Sequence, residues 1–525
     1  MENSFPQPPP ASLTRREFMS QTGKLSTAVA AGVILGDVGG TSKRQASSAS
    51  DVVMMNAGDL SHAIRTRQVS CREVMAAYLA HIELLNPKVN AIVSLQPRDG
   101  LMKQAAERDS ELKSGQYRGW MHGFPHAVKD LAATRGIRTT WGSPLLDTVP
   151  DYDSIFVERL RRAGVIIIGK TNAPEFGLGS QTYNSVFGTT LNAYDQSKCA
   201  GGSSGGAAVS LALRMLPVAD GSDMMGSLRN PAAYNNVIGF RTSYGRVPSG
   251  GEELFLEQLS VNGPLGRTVS DVAMLLSVMA GPDLRAPLSL EQDPAAFTEP
   301  LKRDFKGTRL GWMGDLGGHL PMEPGIAELC RASFKAFEAV GCALEEAQPD
   351  YSADRMWETW VTLRHWLVAG DLLELYKDVS KRKLMKPEAQ WEVEGGLKLS
   401  GAQVYNASRA RSAWYVAVQK LFQKYDYLLL PSAQVFPFDA AVHWPKAING
   451  VAMDTYHRWM EVVVPASLLG FPTINVPVGF SPQGLPMGMQ IIGRHNADFA
   501  VLQLAYAYEQ ATDWVPGHLP SLLRT

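Results

Sequence analysis

The chain has 525 residues, 45% hydrophobic and 19% charged, an enzyme-sized globular balance that excludes a disordered chain, a collagen-like repeat and a small disulfide scaffold. Lys and Arg number 50 against 51 Asp and Glu, and the net charge of −1 gives no electrostatic footprint for nucleic acid or an anionic membrane surface. Cys71, Cys199, Cys330 and Cys342 follow no C-x-x-C spacing, so they imply neither a metal site nor a disulfide framework.

From the amino terminus, Thr14-Arg15-Arg16-Glu17-Phe18-Met19 is a twin-arginine pattern, followed by Lys24 and a weakly apolar run over 25–36. That run is too short to cross about 30 Å of hydrocarbon as a helix. Charged, apolar and then small residues make an export signal, with cleavage expected at Ser47-Ser48-Ala49. Twin-arginine signals are addresses read by a receptor. The expectation is a bacterial protein, exported folded to the periplasm or secreted, with residues 1–49 removed and no stable membrane anchor afterwards. Residues 50–525 are expected to form one catalytic domain.

Ser70 and Glu73 form a capping box ahead of an apolar stripe at Val74, Tyr78, Ile82 and Leu85, which predicts an amphipathic helix stopped by Asn86-Pro87. A charged helix is predicted over 101–114 and another over 153–163, with Gly164 as its cap. Val165 to Ile168 reads as a fully buried strand. Further strands are predicted over 216–219, 427–430, 473–478 and 487–492, and a last helix over 497–510. This alternation predicts an α/β layer fold. The segment 280–420 is richer in charge and helix formers and carries Trp357, Trp360, Trp366, Trp391 and Trp414.

Three motifs compete. Gly164 to Thr171 satisfies the Walker A pattern, but its four middle residues are the predicted strand, not a loop with inward amides. Gly201 to Gly205 satisfies the nucleophile elbow G-x-S-x-G, but residues 196–200 make a poor preceding strand. The whole stretch 201–247 reads differently. A Gly-Gly-Ser-Ser-Gly-Gly turn at 201–206 is followed by an Ala/Leu helix, a short strand and a second turn, Gly221 to Ser227, before Arg229. Two serine-bearing turns at the ends of adjacent elements can converge on one point. Successive amides at Met224, Met225, Gly226 and Ser227 would form the anion hole that a tetrahedral acyl-transfer intermediate needs. His122 and His126 are four apart, but Gly123 and Pro125 between them exclude a helical metal pair.

On these residues the sequence resembles the amidase signature family, over roughly residues 57–515. Ser203 and Ser227 with their flanking glycines fit its signature, and the block from His122 to Asp130 resembles its lysine segment. Gly169 to Phe176, Gly470 to Pro477 and Gly484 to Gly493 resemble further blocks. The resemblance implies a single large domain with a central twisted mixed β-sheet covered by helices on both faces. It implies a Ser–cis-Ser–Lys triad: Ser227 as nucleophile, Ser203 as bridging serine with a cis Gly202–Ser203 peptide, and Lys129 as base. Ser204, Ser222, Asp223 and Arg229 are expected to brace the site. The implied reaction is hydrolysis of a linear amide, or of a carbamate or ester, through an acyl-enzyme, without metal or cofactor. The substrate is expected to be a small molecule, and the segment 280–420 to supply an apolar or aromatic pocket wall through its tryptophans. No nucleic-acid partner is expected, and the protein is expected to be a monomer or homodimer. Met225 stands where the family more often has glycine, and Asn235-Asn236 where a Cys-Gly pair is frequent. Two other readings share the scaffold: a transfer-RNA amidotransferase-type subunit, and a catalytically silent binding protein.

Overall fold

A computed structural model describes residues 49–524. The twin-arginine pattern and the apolar run behind it lie outside the described residues. The first long helix, α1 (Cys71–Val89), begins at the capping box: the Ser70 side chain accepts from the Glu73 amide at 3.1 Å, and the Glu73 carboxylate accepts from the Ser70 amide at 2.8 Å. It does not stop at Asn86-Pro87 as expected. Pro87 sits in the last turn, where it removes one bond, while the Asn86 carbonyl still accepts the Asn90 amide at 2.7 Å. Asn90 then ends the helix in the left-handed region, at φ 51°.

Strand β1 (Ile92–Val93), helix α2 (Arg98–Lys113), strand β2 (Pro125–Lys129), helix α3 (Ile155–Arg162) and strand β3 (Ile166–Thr171) follow. The three strands form one sheet in the order β1-β3-β2, with β2 parallel and β1 antiparallel to β3. Every residue of β2 and β3 is buried, which accounts for the uninterrupted apolar run in β3. The Walker-like Lys170 lies inside β3, where its ammonium donates to the Ala132 carbonyl at 2.6 Å and the Thr134 hydroxyl at 2.8 Å.

Helix α4 (Gly205–Ala212) is apolar and buried along its whole length. The large mixed sheet begins after it, with β4 (Ala219–Asp223). Helix α5 (Arg229–Tyr234), β5 (Ile238–Arg241), β6 (Val261–Gly266), helix α6 (Val269–Met279), β7 (Arg309–Trp312) and β8 (Ala343–Glu346) come next. Three long helices, α7 (Ala353–Lys377), α8 (Pro387–Leu397) and α9 (Gly401–Leu421), precede β9 (Tyr427–Pro431), β10 (Thr473–Phe480), β11 (Pro486–Ile492) and helix α10 (Asp498–Gln510). The strand order is β8-β7-β9-β11-β10-β5-β6-β4. Strand β7 is parallel to both β8 and β9, and the remaining pairings are antiparallel.

The strand expected over 216–219 starts instead at Ala219. The Leu216 amide is committed to the Ser210 carbonyl at the end of α4, and Pro217 has no amide to offer. That three-residue shift matters, because it makes Asp220 and Asp223 strand residues paired with β6. Helix α7 packs on α8 and α9. Trp357, Trp360 and Trp414 are buried, and Trp366 and Trp391 are half-buried.

Candidate active site

Lys129 ends β2 and points into the protein, with 2% of the residue exposed. Its Nζ lies 2.8 Å from Ser203 Oγ, 2.9 Å from Ser204 Oγ and 3.0 Å from Ser222 Oγ. Burial pushes the ammonium down to about 7, against the opposing pull of the Asp220 and Asp223 carboxylates. A neutral amine within reach of a serine hydroxyl can act as a base at ordinary pH.

Ser203 follows a cis Gly202–Ser203 peptide in the turn before α4, as the resemblance implies. Ser180 clamps this turn, donating to the Gly202 carbonyl at 2.7 Å and accepting from the Gly202 amide at 3.2 Å. Thr182 donates to the Gly201 carbonyl at 2.8 Å. The Ser204 amide donates to the Ser227 carbonyl at 3.2 Å, which joins the two serine turns. Lys129, Ser203 and Ser227, far apart in sequence, therefore line one cavity of about 370 Å³.

Asp223 organises the turn that carries Ser227. Its carboxylate accepts from the Gly226 amide at 2.9 Å and the Leu228 amide at 3.1 Å. Arg229 meets it with Nε at 3.0 Å and Nη2 at 2.9 Å, and Arg241 adds Nη1 at 3.1 Å. All three side chains are fully buried. Burial alone would raise the Asp223 carboxyl, but the two guanidinium groups hold it well below the usual carboxylate range. The Gly226 amide is thus turned back into the protein. The amides of Met224, Met225 and Ser227, the other three expected donors, have no hydrogen-bond partner among the described residues.

Two neighbours were not singled out for this site in the sequence. Asp220 accepts the Lys129 main-chain amide at 3.1 Å on Oδ2 and meets His126 Nε2 at 2.8 Å on Oδ1, with both side chains buried. Arg364, from α7, donates from Nε to Glu392 at 2.6 Å and from Nη2 to the Tyr456 hydroxyl at 2.7 Å. The only trace of the first pair in the sequence is His126 itself, considered there as a metal ligand. His122, its supposed partner, turns its Nε2 to the Arg108 carbonyl at 2.8 Å. Among the described residues no group of three or more His, Cys, Asp or Glu could hold a metal ion.

The apolar lining includes Leu131, Trp141, Phe176, Val368, Leu372 and Met460. The segment 280–420 does reach the cavity, through Ala286, Leu288 and Ser289 and through Arg364, Val368, Asp371 and Leu372 of α7. Its tryptophans do not: the indole in the wall is Trp141, from the loop after β2. The expectation of a tryptophan wall fails: Trp357 and Trp391 pack against His457, and Trp414 packs against Tyr351 and donates to the Pro465 carbonyl at 3.0 Å. Met225 is 2% exposed and is among the residues that line the cavity.

A family model described as Amidase matches residues 73–502. An acylamidase of Rhodococcus erythropolis is 32% identical over 466 residues, covering 88% of this chain and 96% of that protein. A glutamyl-tRNA(Gln) amidotransferase subunit of Thermosynechococcus vestitus is 33% identical over 470 residues, covering 85% of this chain and 96% of its own. Among solved structures, a bacterial aryl acylamidase of the amidase signature enzymes superposes with a TM-score of 0.83 at 28% identity, over 89% of this chain and 98% of its own.

Proposed function

This chain belongs to the amidase family, and from that premise we propose that it hydrolyses a small-molecule amide with Ser227 as nucleophile, Ser203 as bridging serine and Lys129 as base. The observation that carries the assignment is the buried Lys129 amine, 2.8 Å from Ser203 Oγ at a cis peptide beside the Ser227 turn. In this reading neutral Lys129 takes the Ser203 proton while Ser203 takes that of Ser227, and Ser227 Oγ bonds to the amide carbonyl carbon. The amides of Met224, Met225 and Ser227 stabilise the oxyanion. The relay then returns the proton to the departing amine as the C–N bond breaks. Water hydrolyses the acyl-enzyme by the same route. Ser204 and Ser222 hold the Lys129 amine in place, and Asp223 with Arg229 shapes the nucleophile turn.

The apolar lining supports a substrate with an apolar or aromatic portion, and carbamates or esters of that shape fit the same chemistry. The reading puts the enzyme outside the cytoplasm, on the twin-arginine pattern, as a monomer or homodimer without a nucleic-acid partner. A second reading, an amidotransferase component, has the 33% likeness to such a protein in its favour. Amine release from aliphatic amides, anilides, peptide amides and aryl carbamates separates the two. Turnover by the protein alone, reduced by about 10⁴-fold or more in Ser227→Ala, is expected for a self-sufficient hydrolase. Glutamine as the one amide hydrolysed, and only with added partner subunits, would favour the amidotransferase.

A further inference from the structure

Arg364 is the buried cation of the cavity whose hydrogen bonding is incomplete. Its side chain is 4% exposed, and that of its partner Glu392 is fully buried. Nε and Nη2 are held by Glu392 and Tyr456, and the Tyr456 hydroxyl itself donates to Glu392 at 2.6 Å. This fixes the plane of the guanidinium. The Nη1 edge has a single partner, Met224 Sδ at 3.1 Å, and a thioether is a weak acceptor. A charged donor held dry without an oxygen to receive it is costly, and a ligand oxygen in the cavity would relieve that cost. The placement ties this edge to the reaction. Met224 also contributes one of the free amides of the proposed oxyanion turn, so Nη1 lies one methionine side chain from where the scissile carbonyl would sit.

The sign of the surrounding charge selects the kind of oxygen. Lys129 and Arg364 are the Lys and Arg residues of the lining, against Asp220, Glu253, Glu257 and Asp371. The positive charge of Arg364 is already matched by Glu392, and burial favours neutral Lys129. Glu253 and Glu257 direct their carboxylates at main-chain amides, not at cations of the lining. Burial raises the Glu257 and Asp371 carboxyls toward the neutral form, but the lining still holds no unmatched cation to receive a substrate carboxylate. A carbonyl oxygen accepts the same hydrogen bond without bringing charge.

We propose that Arg364 is a specificity-determining residue that reads a second, neutral carbonyl close to the scissile amide. The preferred substrates are then amides carrying such a carbonyl, over simple alkyl or aryl amides and over amides carrying a carboxylate. This rests on the amide-hydrolase reading for its reaction, though not for its binding.

The test uses three anilides of matched acyl length: one fully apolar, one with an internal ketone or amide carbonyl, and one ending in a carboxylate. The wild-type enzyme is expected to favour the carbonyl-bearing anilide in kcat/KM over the apolar one by about tenfold to a hundredfold, the range for a hydrogen bond to a charged group. Arg364→Lys keeps the charge beside Glu392 but loses the planar donor edge, and should bring that ratio to about one. An unchanged ratio in the variant, a wild-type ratio of one or less, or a carboxylate anilide that outruns both would overturn the proposal. The wild-type ratio decides even if the variant does not fold. Calorimetric binding of the three compounds to Ser227→Ala separates the two readings. Arg364-dependent preference in binding, without wild-type turnover of any compound, would sink the hydrolase reading and keep this one. Turnover with no preference would do the reverse.

Discussion

Lys129 can serve as a base only in the fraction of molecules where it is uncharged, and its surroundings set that fraction from two directions. Burial pushes the ammonium down to about 7, and Asp220 is the first of the two carboxylates that pull it back up. Removing that carboxylate charge should let the amine lose its proton at still lower pH. Asp220→Asn is therefore expected to move the acidic limb of the kcat/KM profile to lower pH, by about half a unit or more, because the working form of the base persists further into acid. The carboxamide oxygen of the variant can still accept the Lys129 main-chain amide, so the geometry of β2 is largely kept. A variant whose plateau falls while the limb stays in place would show that Asp220 acts through packing alone. At this scale the candidates Lys129, Ser203 and Ser227 could be picked out, because each sits in a contiguous block whose neighbours carry the pattern, and they line one cavity. Asp220 and His126 were not, because their meaning lies in a contact between β2 and β4, 94 residues apart in sequence. The same holds for Arg364, which meets Met224 across 140 positions.

Strand β3 could be read from its run of isoleucines, and β10 and β11 from mostly apolar stretches, whereas β5 and β6 could not. Their glycines break the pattern, and they do so for a tertiary reason. A Cβ on Gly239 would lie 2.2 Å from the Leu228 carbonyl oxygen, so the turn after Ser227 can lie against β5 only if that position is bare. Strand β8 hides for the opposite reason: it is an edge strand with exposed Glu345 and Glu346, so its burial pattern does not alternate. Helix α4 shows the same close approach with a functional consequence. A Cβ on Gly206 would lie 2.4 Å from the Asn172 amide nitrogen and 2.5 Å from the Ala91 carbonyl oxygen, backbone atoms that cannot swing aside. Gly206→Ala should therefore cost about 1–3 kcal/mol by overpacking, read as a lowered melting temperature. It should also lower kcat, because the displaced helix begins directly after Ser203 and Ser204. A variant that melts and turns over like the wild type would show that the helix has room to move. On α7 the useful signal was present in the spacing: Arg364, Val368, Asp371 and Leu372 recur at one helical face toward the cavity.

Across the whole molecule the site is assembled from segments spread over most of the chain. Lys129 comes from β2, Ser203 from the turn before α4, Ser227 from the turn after β4 and Arg364 from α7. The Arg229 guanidinium that braces the nucleophile turn also reaches Gln490 on β11 at 2.5 Å and Ser467 at 2.6 Å. Arg241 joins the same Asp223 carboxylate and donates to the Ser467 carbonyl at 3.2 Å. Buried arginines of this kind are satisfied only when all of these segments are in place, and removing one partner leaves an uncompensated charge. A chain translocated in extended form would have to rebuild that network after crossing the membrane, whereas a chain exported folded carries it across intact. Export in the folded state is what the proposed signal at Arg15 and Arg16 would provide. Changing both to lysine should leave catalytic activity per molecule unchanged, because neither residue is part of the proposed site, and should retain the protein in the cytoplasm at its full precursor length. Cell fractionation with an activity assay and intact mass on each fraction reads both outcomes. Active, shortened protein outside the cytoplasm in the double-lysine variant would exclude the twin-arginine route.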